Sequence, residues 1–312
     1  MSGLRLKTVT RTQGNNQALK EGRIRPRTCE LEFIEVDPLV GAFRRMVRGL
    51  EFDISEMALT TYITARMHGK RFSGLPIFLV RAFHHGAIVY NTRSDIRGPK
   101  DLEGKKVGVN RGYTVTTGLW ARAILQHHYG VDLNSITWVL SGDEHVAEYQ
   151  PPGNVARLEK GKQLLDLVVS GELPAAIGLE TETADVRRLI PNAAEAGLEA
   201  LRQWGHYPIN HLIVVRDELL ETHPDLGADV FNAFAESKRD YVRRLQDGQL
   251  QAPDLMHRRV MEITGRDPLP YGIAPNRQTL EEIIQYAREQ RIIDRPVTVE
   301  ELFPPSTHEL VG

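Results

Sequence analysis

The sequence predicts an α/β protein. Short β-branched apolar runs alternate with longer stretches in which apolar residues recur at helical spacing, and turn residues separate the two kinds. The 312 residues, 41% hydrophobic and 26% charged, suffice for two lobes with cores of their own.

Leu4 to Thr10 reads as a first strand and Leu31 to Val36 as a second. Asp37-Pro38 then has the form of an N-cap followed by proline at the first helical position. Leu39, Val40, Phe43, Met46 and Val47 follow on one helical face, which Gly49 closes. Phe52 to Ile54 is a short strand leading through Ser55-Glu56-Met57 into a helix over Leu59 to Met67. Further strands are expected at Ile77 to Val80, Ala87 to Tyr90, Val107 to Asn110, Ser135 to Leu140, Ala175 to Leu179 and Leu212 to Val215. The loop Arg111 to Thr114 opens a helix containing Leu119, Trp120, Ala123, Ile124 and Leu125, and Leu164 to Val169 forms another. The last third is mostly helical: Leu226 to Leu245, Pro253 to Ile263 and Thr279 to Gln290, with a capping box at Thr298 to Glu301.

The bulk numbers exclude several classes. Net charge is −2 with no block of like charge, so no global field favours nucleic acid or an acidic membrane. Cys29 is the single cysteine and reads as a buried spectator thiol. Met1 to Thr10 has no apolar h-region, and no run approaches the ~20 apolar residues that span a bilayer. The expected location is therefore the cytoplasm. There is no phosphate-binding G-x-x-x-x-G-K-[ST], no H-E-x-x-H and no G-x-S-x-G, and Gly104 to Gly108 makes no dinucleotide fingerprint.

The most informative segment is Arg81 to Asn91. It sets Arg81, His84 and His85 before an apolar strand. A cation beside two groups that titrate near neutrality suits an anionic ligand and proton transfer. A second anion site is read at Asn110 to Thr117. Backbone N–H groups at a helix start, with the hydroxyls of Thr114, Thr116 and Thr117 and the guanidinium of Arg111, suit a carboxylate.

The element order resembles the type II periplasmic-binding-protein fold, two α/β lobes with a ligand cleft between them. Within that fold the chain resembles the 4,5-dihydroxyphthalate decarboxylase family over nearly its whole length. The segments that carry the resemblance are Glu51 to Met57 with Tyr62, Arg81 to Asn91, Lys100 to Val109, Tyr207-Pro208-Ile209-Asn210-His211, Pro270-Tyr271-Gly272-Ile273, Asn276-Arg277 and Thr298 to Phe303. The chain departs from the family's pattern at the uncharged loop Thr12 to Gln17, and at His84, where the family tends to have arginine. The resemblance implies a discontinuous first lobe, residues 1–90 with 210–312, and a second lobe of residues 91–209.

It also implies a cytoplasmic non-oxidative decarboxylase of a hydroxylated aromatic acid. The expected catalytic groups are His85, His211 and Glu56, with Glu56 or a histidine taking the phenol proton and His85 or His211 protonating the ring carbon. Arg81, His84, Arg111, Tyr113, Thr114, Thr116, Thr117 and His206 are expected to bind substrate. Tyr62, Glu180 and Glu182 are weaker candidates for the cleft. No cofactor is required, although His84, His85, His206 and His211 can in principle converge on a divalent metal. The expected partner is a small aromatic carboxylate, with neither nucleic acid nor membrane, and a homo-oligomer is compatible with the sequence. The alternative is a non-catalytic solute-binding protein for a small carboxylate.

Overall fold

A computed structural model describes residues 4–312. Met1 to Gly3, the beginning of the segment read for a leader, lie outside the described residues. The strands are β1 (Leu4–Val9), β2 (Cys29–Phe33), β3 (Ile54–Ala58), β4 (Phe72–Arg81), β5 (Ile88–Asn91), β6 (Lys106–Val109), β7 (Thr137–Leu140), β8 (Val155–Arg157), β9 (Ala175–Ile177), β10 (Val186–Arg188) and β11 (Ile209–Arg216). The helices are α1 (Gln17–Lys20), α2 (Val40–Gly49), α3 (Leu59–Met67), α4 (Thr116–Tyr129), α5 (Leu164–Ser170), α6 (Ala193–Trp204), α7 (Asp217–Thr222), α8 (Leu226–Gln246), α9 (Leu255–Thr264) and α10 (Arg277–Glu289).

These elements form two units. The first takes the described residues up to Arg81, with Ile209–Ile284 and Pro296–Gly312; the second takes Ala82–Pro208 and Gln285–Arg295. Residues 82–90 thus fall in the second unit rather than the first, because β5 is hydrogen-bonded to β9 and β10. Residues 285–295 also fall there, since Tyr286 packs on Trp120 and Glu289 bonds His127.

The sheet of the first unit runs β2-β1-β3-β11-β4. β1 is parallel to β2 and β3, and β11 is antiparallel to both its neighbours. Flanked on both edges, β3 is buried along its whole length, and it runs on to Ala58 instead of stopping at Ile54. Glu56 therefore lies inside a strand, not in the turn before α3. α8 supplies an apolar face of Val230, Phe231, Phe234, Tyr241 and Leu245.

The sheet of the second unit runs β10-β5-β9-β6-β7-β8. α4 buries Leu119, Trp120, Ala123, Ile124 and Leu125, the stripe its spacing predicts.

Two local readings differ. α2 begins at Val40 with no side-chain cap, after a cis Asp37-Pro38 bond, so Asp37 is not its N-cap. β8, β10 and α6 are not among the expected elements. β10 is charged and short, and forms through backbone pairing to β5 rather than through an apolar pattern. The capping box is realised: Glu301 accepts from the Thr298 N–H at 2.9 Å, and the Glu301 N–H donates to Thr298 Oγ1 at 3.3 Å. Cys29 is buried, and burial pushes its thiol up to about 12. Among the described residues no helix is long and apolar enough to cross a membrane.

Candidate active site

In the first unit, strand register creates a polar centre. Ile213 lies opposite Glu56 and His211 opposite Ala58, so Glu56 and His211 are diagonal neighbours across the β3–β11 ladder. Long side chains meet at that spacing. The β11–β4 pairing shifts register on both sides of His211, a bulge of the kind that re-aims a side chain. β1 runs parallel to β3 with Val9 opposite Ser55, which brings Thr10 beside Glu56.

His211 Nδ1 lies 2.6 Å from Glu56 Oε1. Thr10 Oγ1 and the Arg11 N–H donate to Glu56 Oε2 at 2.8 and 3.0 Å. Asn16 Nδ2 in turn donates to Thr10 Oγ1 at 3.1 Å. Glu56 is 0% exposed. Burial alone would push its pKa up, but the bonds from His211 and Thr10 outweigh it and hold the carboxyl below its ordinary value. With Glu56 ionised, Nδ1 of His211 carries a proton and Nε2 is the nitrogen left for exchange. The carboxylate already accepts three protein donors, which suits an orienting group better than the phenol base expected of Glu56. Phe43 packs edge-on to the His211 ring at 5.2 Å.

Arg81, the last residue of β4, is 7% exposed. Its guanidinium donates to Asn276 Oδ1, and Asn276 Nδ2 donates to the carbonyls of Pro270 and Gly272 at 2.9 and 2.7 Å. These bonds frame Tyr271, whose fully buried hydroxyl has no hydrogen-bond partner. Burial raises the Tyr271 pKa well above its ordinary value; the charge of Arg81 opposes the rise and that of Glu56 adds to it. The charges of Arg81 and Glu56 are thus both felt at one tyrosine.

In the second unit, donors of the expected anion site are taken by the chain's own Glu144. Glu144 accepts from the Tyr113 N–H, from the Thr114 N–H at 3.1 Å and from Thr114 Oγ1 at 2.6 Å. A Cβ on Gly112 would lie 2.6 Å from Glu144 Oε2, so glycine is needed for this approach. Thr116 is buried at the start of α4, and Thr117 is half-buried. Arg111 has a left-handed φ of 74°, is exposed and donates its N–H to Ser141 Oγ. The ring of Tyr113 packs 3.9 Å from the guanidinium carbon of Arg122.

His84, His85 and His206 are all buried in the second unit. The His85 ring lies 5.4 Å from that of His128, and His206 packs edge-on to Trp120 at 5.1 Å. Buried Nδ1 of His85 has no hydrogen-bond partner. Burial pushes His85, His128 and His206 down to about 4, with neighbouring histidines adding to the shift for the first two. Unfolding restores values near 6.5, so the unfolded chain takes up protons first as pH falls. Stability from this cluster is whole above about 6.5 and is lost between there and about 4. Thermal melts should show the midpoint falling by more than ~4 °C between pH 7 and 5, and His128→Phe should lessen that fall. A midpoint flat over this range would exclude a buried neutral cluster.

The remaining candidates separate by burial. Tyr62 is fully buried and donates to the Leu302 carbonyl, a core role, while Glu180 and Glu182 are exposed. Among the described residues no group of three or more His, Cys, Asp or Glu is arranged to hold a metal ion. Sequence reading gave no role to Glu144 or to the Tyr271 hydroxyl; it reached Thr10 only as the start of a loop expected to face the ligand, Thr10 to Gln17, and Asn276 only through the resemblance.

No family model matches the chain. A protein of Comamonas testosteroni named 4,5-dihydroxyphthalate decarboxylase is 27% identical over an alignment of 328 positions covering 99% of each chain. One of the same name from Pseudomonas putida is 30% identical over 171 positions, 50% of this chain and 66% of that one. Among solved structures, a conserved Candida albicans protein exhibiting the generic periplasmic binding protein fold aligns with 100% of this chain and 99% of its own at a TM-score of 0.55 and 10% identity. The chain thus has the periplasmic-binding-protein fold and is similar, over 99% of its length, to a protein named 4,5-dihydroxyphthalate decarboxylase.

Proposed function

We propose that the protein is a non-oxidative decarboxylase of a hydroxylated aromatic acid of the 4,5-dihydroxyphthalate type. The observation that carries this reading is the His211–Glu56 pair, its carboxylate fully buried, across the β3–β11 ladder next to the strand that ends in Arg81, on a chain that aligns over 99% of its length with a protein of that name.

The chemistry is proton transfer. A hydroxyl ortho or para to the carboxylate makes the ring carbon basic. Loss of the phenol proton pushes an electron pair through the ring, and the carbon bearing the carboxylate takes a proton. The C–C bond then breaks, its electron pair returns to the ring, and carbon dioxide leaves. The phenolate oxygen regains its proton, and the carbon's donor is reloaded from water. No redox cofactor enters, because the ring itself holds the charge.

In this scheme Nε2 of His211 delivers the proton to carbon. Glu56 fixes its tautomer and stabilises the imidazolium through which it passes. Arg81 binds the carboxylate, with its guanidinium positioned by Asn276. The scheme also needs a base for the phenol proton, a role the sequence gives to Glu56 or to a histidine.

The test is a screen of hydroxylated benzoates and phthalates for carbon dioxide release, with and without a chelator. Release from a dihydroxyphthalate, unaffected by chelator, is expected. A thermal shift with ligand but no product would mark a binding protein instead. Arg81→Ala should raise KM at least ~10-fold with a smaller change in kcat; an unchanged KM would remove Arg81 as the clamp.

A further inference from the structure

The first unit contains a second oriented histidine, on a helix from which the sequence drew no site residue. His257 lies on α9, with its Nδ1 2.8 Å from the hydroxyl of Tyr241. That hydroxyl donates to Asp254 Oδ1 at 2.7 Å. Asp254 is 7% exposed, and its other oxygen accepts from the Gln251 N–H at 2.8 Å. A phenol has one proton. Since Tyr241 gives it to Asp254, it accepts from His257, so Nδ1 of His257 carries the hydrogen and Nε2 the lone pair. The arrangement has the logic of a carboxylate-oriented imidazole, with a tyrosine inserted between acid and base.

The loop after β1 ties this relay to the His211–Glu56 pair. Thr10 and Arg11, at its start, hold the Glu56 carboxylate. Gly14, further along, lies flat on the Tyr241 ring: a Cβ there would meet Tyr241 Cε2 at 2.3 Å. The charge of Arg81 acts on both His257 and Tyr271. Burial, the largest influence, pushes His257 down to about 4, so it is a neutral base at pH 7.

We propose that His257 is the base that takes the phenol proton, with Tyr241 and Asp254 as its positioning residues. The proposal rests on the decarboxylase reading and names the histidine for a role the sequence left to Glu56 or a histidine. The division of labour follows from the partners. An ionised carboxylate in direct contact suits His211 to pass through imidazolium while protonating carbon. A neutral hydroxyl in contact suits His257 to accept a proton from oxygen and return it to the phenolate.

The experiment compares His257→Gln, Tyr241→Phe and the control His68→Gln in the full chain, each checked by circular dichroism and thermal melting. With 4,5-dihydroxyphthalate, His257→Gln should lower kcat by ~10²–10⁴-fold with little change in KM, and His68→Gln, at an exposed histidine after α3, should keep kcat within ~3-fold. Tyr241→Phe keeps the ring against Gly14 but removes the relay. It should lower kcat ~10-fold and move the acid limb of the kcat–pH profile, a shift that mere loss of packing would not cause. Nitrogen-15 spectra of the ligand-free protein should show the His257 proton on Nδ1, and a tautomer mixture in Tyr241→Phe. If His257→Gln fails to fold, His257→Asn and the tautomer spectra decide. An active wild type with His257→Gln at full kcat overturns this inference alone. A wild type that releases no carbon dioxide overturns the decarboxylase reading, and with it the role given to His257.

Discussion

His211→Gln is expected to lower kcat for decarboxylation by ~10²–10⁴-fold while leaving KM nearly unchanged. Glutamine fills a similar volume and can still donate to Glu56 Oε1, so the buried carboxylate keeps a partner. The loss is then confined to proton delivery. Glu56→Gln should be severe for a different reason. The amide cannot hold Nδ1–H as a carboxylate does, so the histidine loses both its fixed tautomer and the charge that supports imidazolium. Stopped-flow or gas-release kinetics on variants with wild-type melting curves would check both. A folded His211→Gln with unaltered kcat would remove the pair from the mechanism.

The largest effect on stability is expected at Lys238, in the middle of α8. Lys238 is 1% exposed, and its ammonium donates to Asp267 and to the carbonyls of Leu269 (2.9 Å) and Gly312 (2.7 Å). It also lies 4.4 Å from the centre of the Tyr271 ring. Burial pushes its pKa down, and Asp267 works against that shift. Lys238→Met retains the aliphatic stem but leaves one carboxylate and two carbonyls without their donor. Breaking one side of a buried pair typically costs ~3–5 kcal/mol. Urea denaturation should show a loss of this order, and the double variant Lys238→Met with Asp267→Asn should recover part of it. A single variant within ~0.5 kcal/mol of wild type would mean that water replaces the ammonium.

How far the sequence could be read depended on the range of each interaction. α3 was expected over the residues it occupies, Leu59–Met67, and the capping box at Thr298 formed as written, because propensity and capping act within a few residues. The apolar stripe of α4 was legible for the same reason. Glu56 and His211 could be named one at a time, but not as a pair. Their contact depends on the β3–β11 register and on bulges, across a sequence separation of 155. Glu144 carries no local signal for its place at the start of α4; it arrives from a loop 30 positions beyond Thr114. His257 sits in a helix dense with arginine, and its bond to Tyr241 reaches 16 positions back along the chain. At the loop expected to bind a ligand, Asn110 to Thr117, the Tyr113 and Thr114 N–H groups are taken by the chain's own Glu144.

The position of β11 also governs the order of synthesis. The strand that joins β3 to β4, and carries His211, is made only after all six strands of the other sheet. A chain emerging from the ribosome can therefore close the later-numbered sheet while the earlier one still has a gap at its centre. Until that last strand threads into place, β3 and β4 have open edges, and Glu56 waits without its imidazole. The His211–Glu56 pair is completed late by its place in the chain, so a truncated or stalled product would lack it even where most of the chain had already folded.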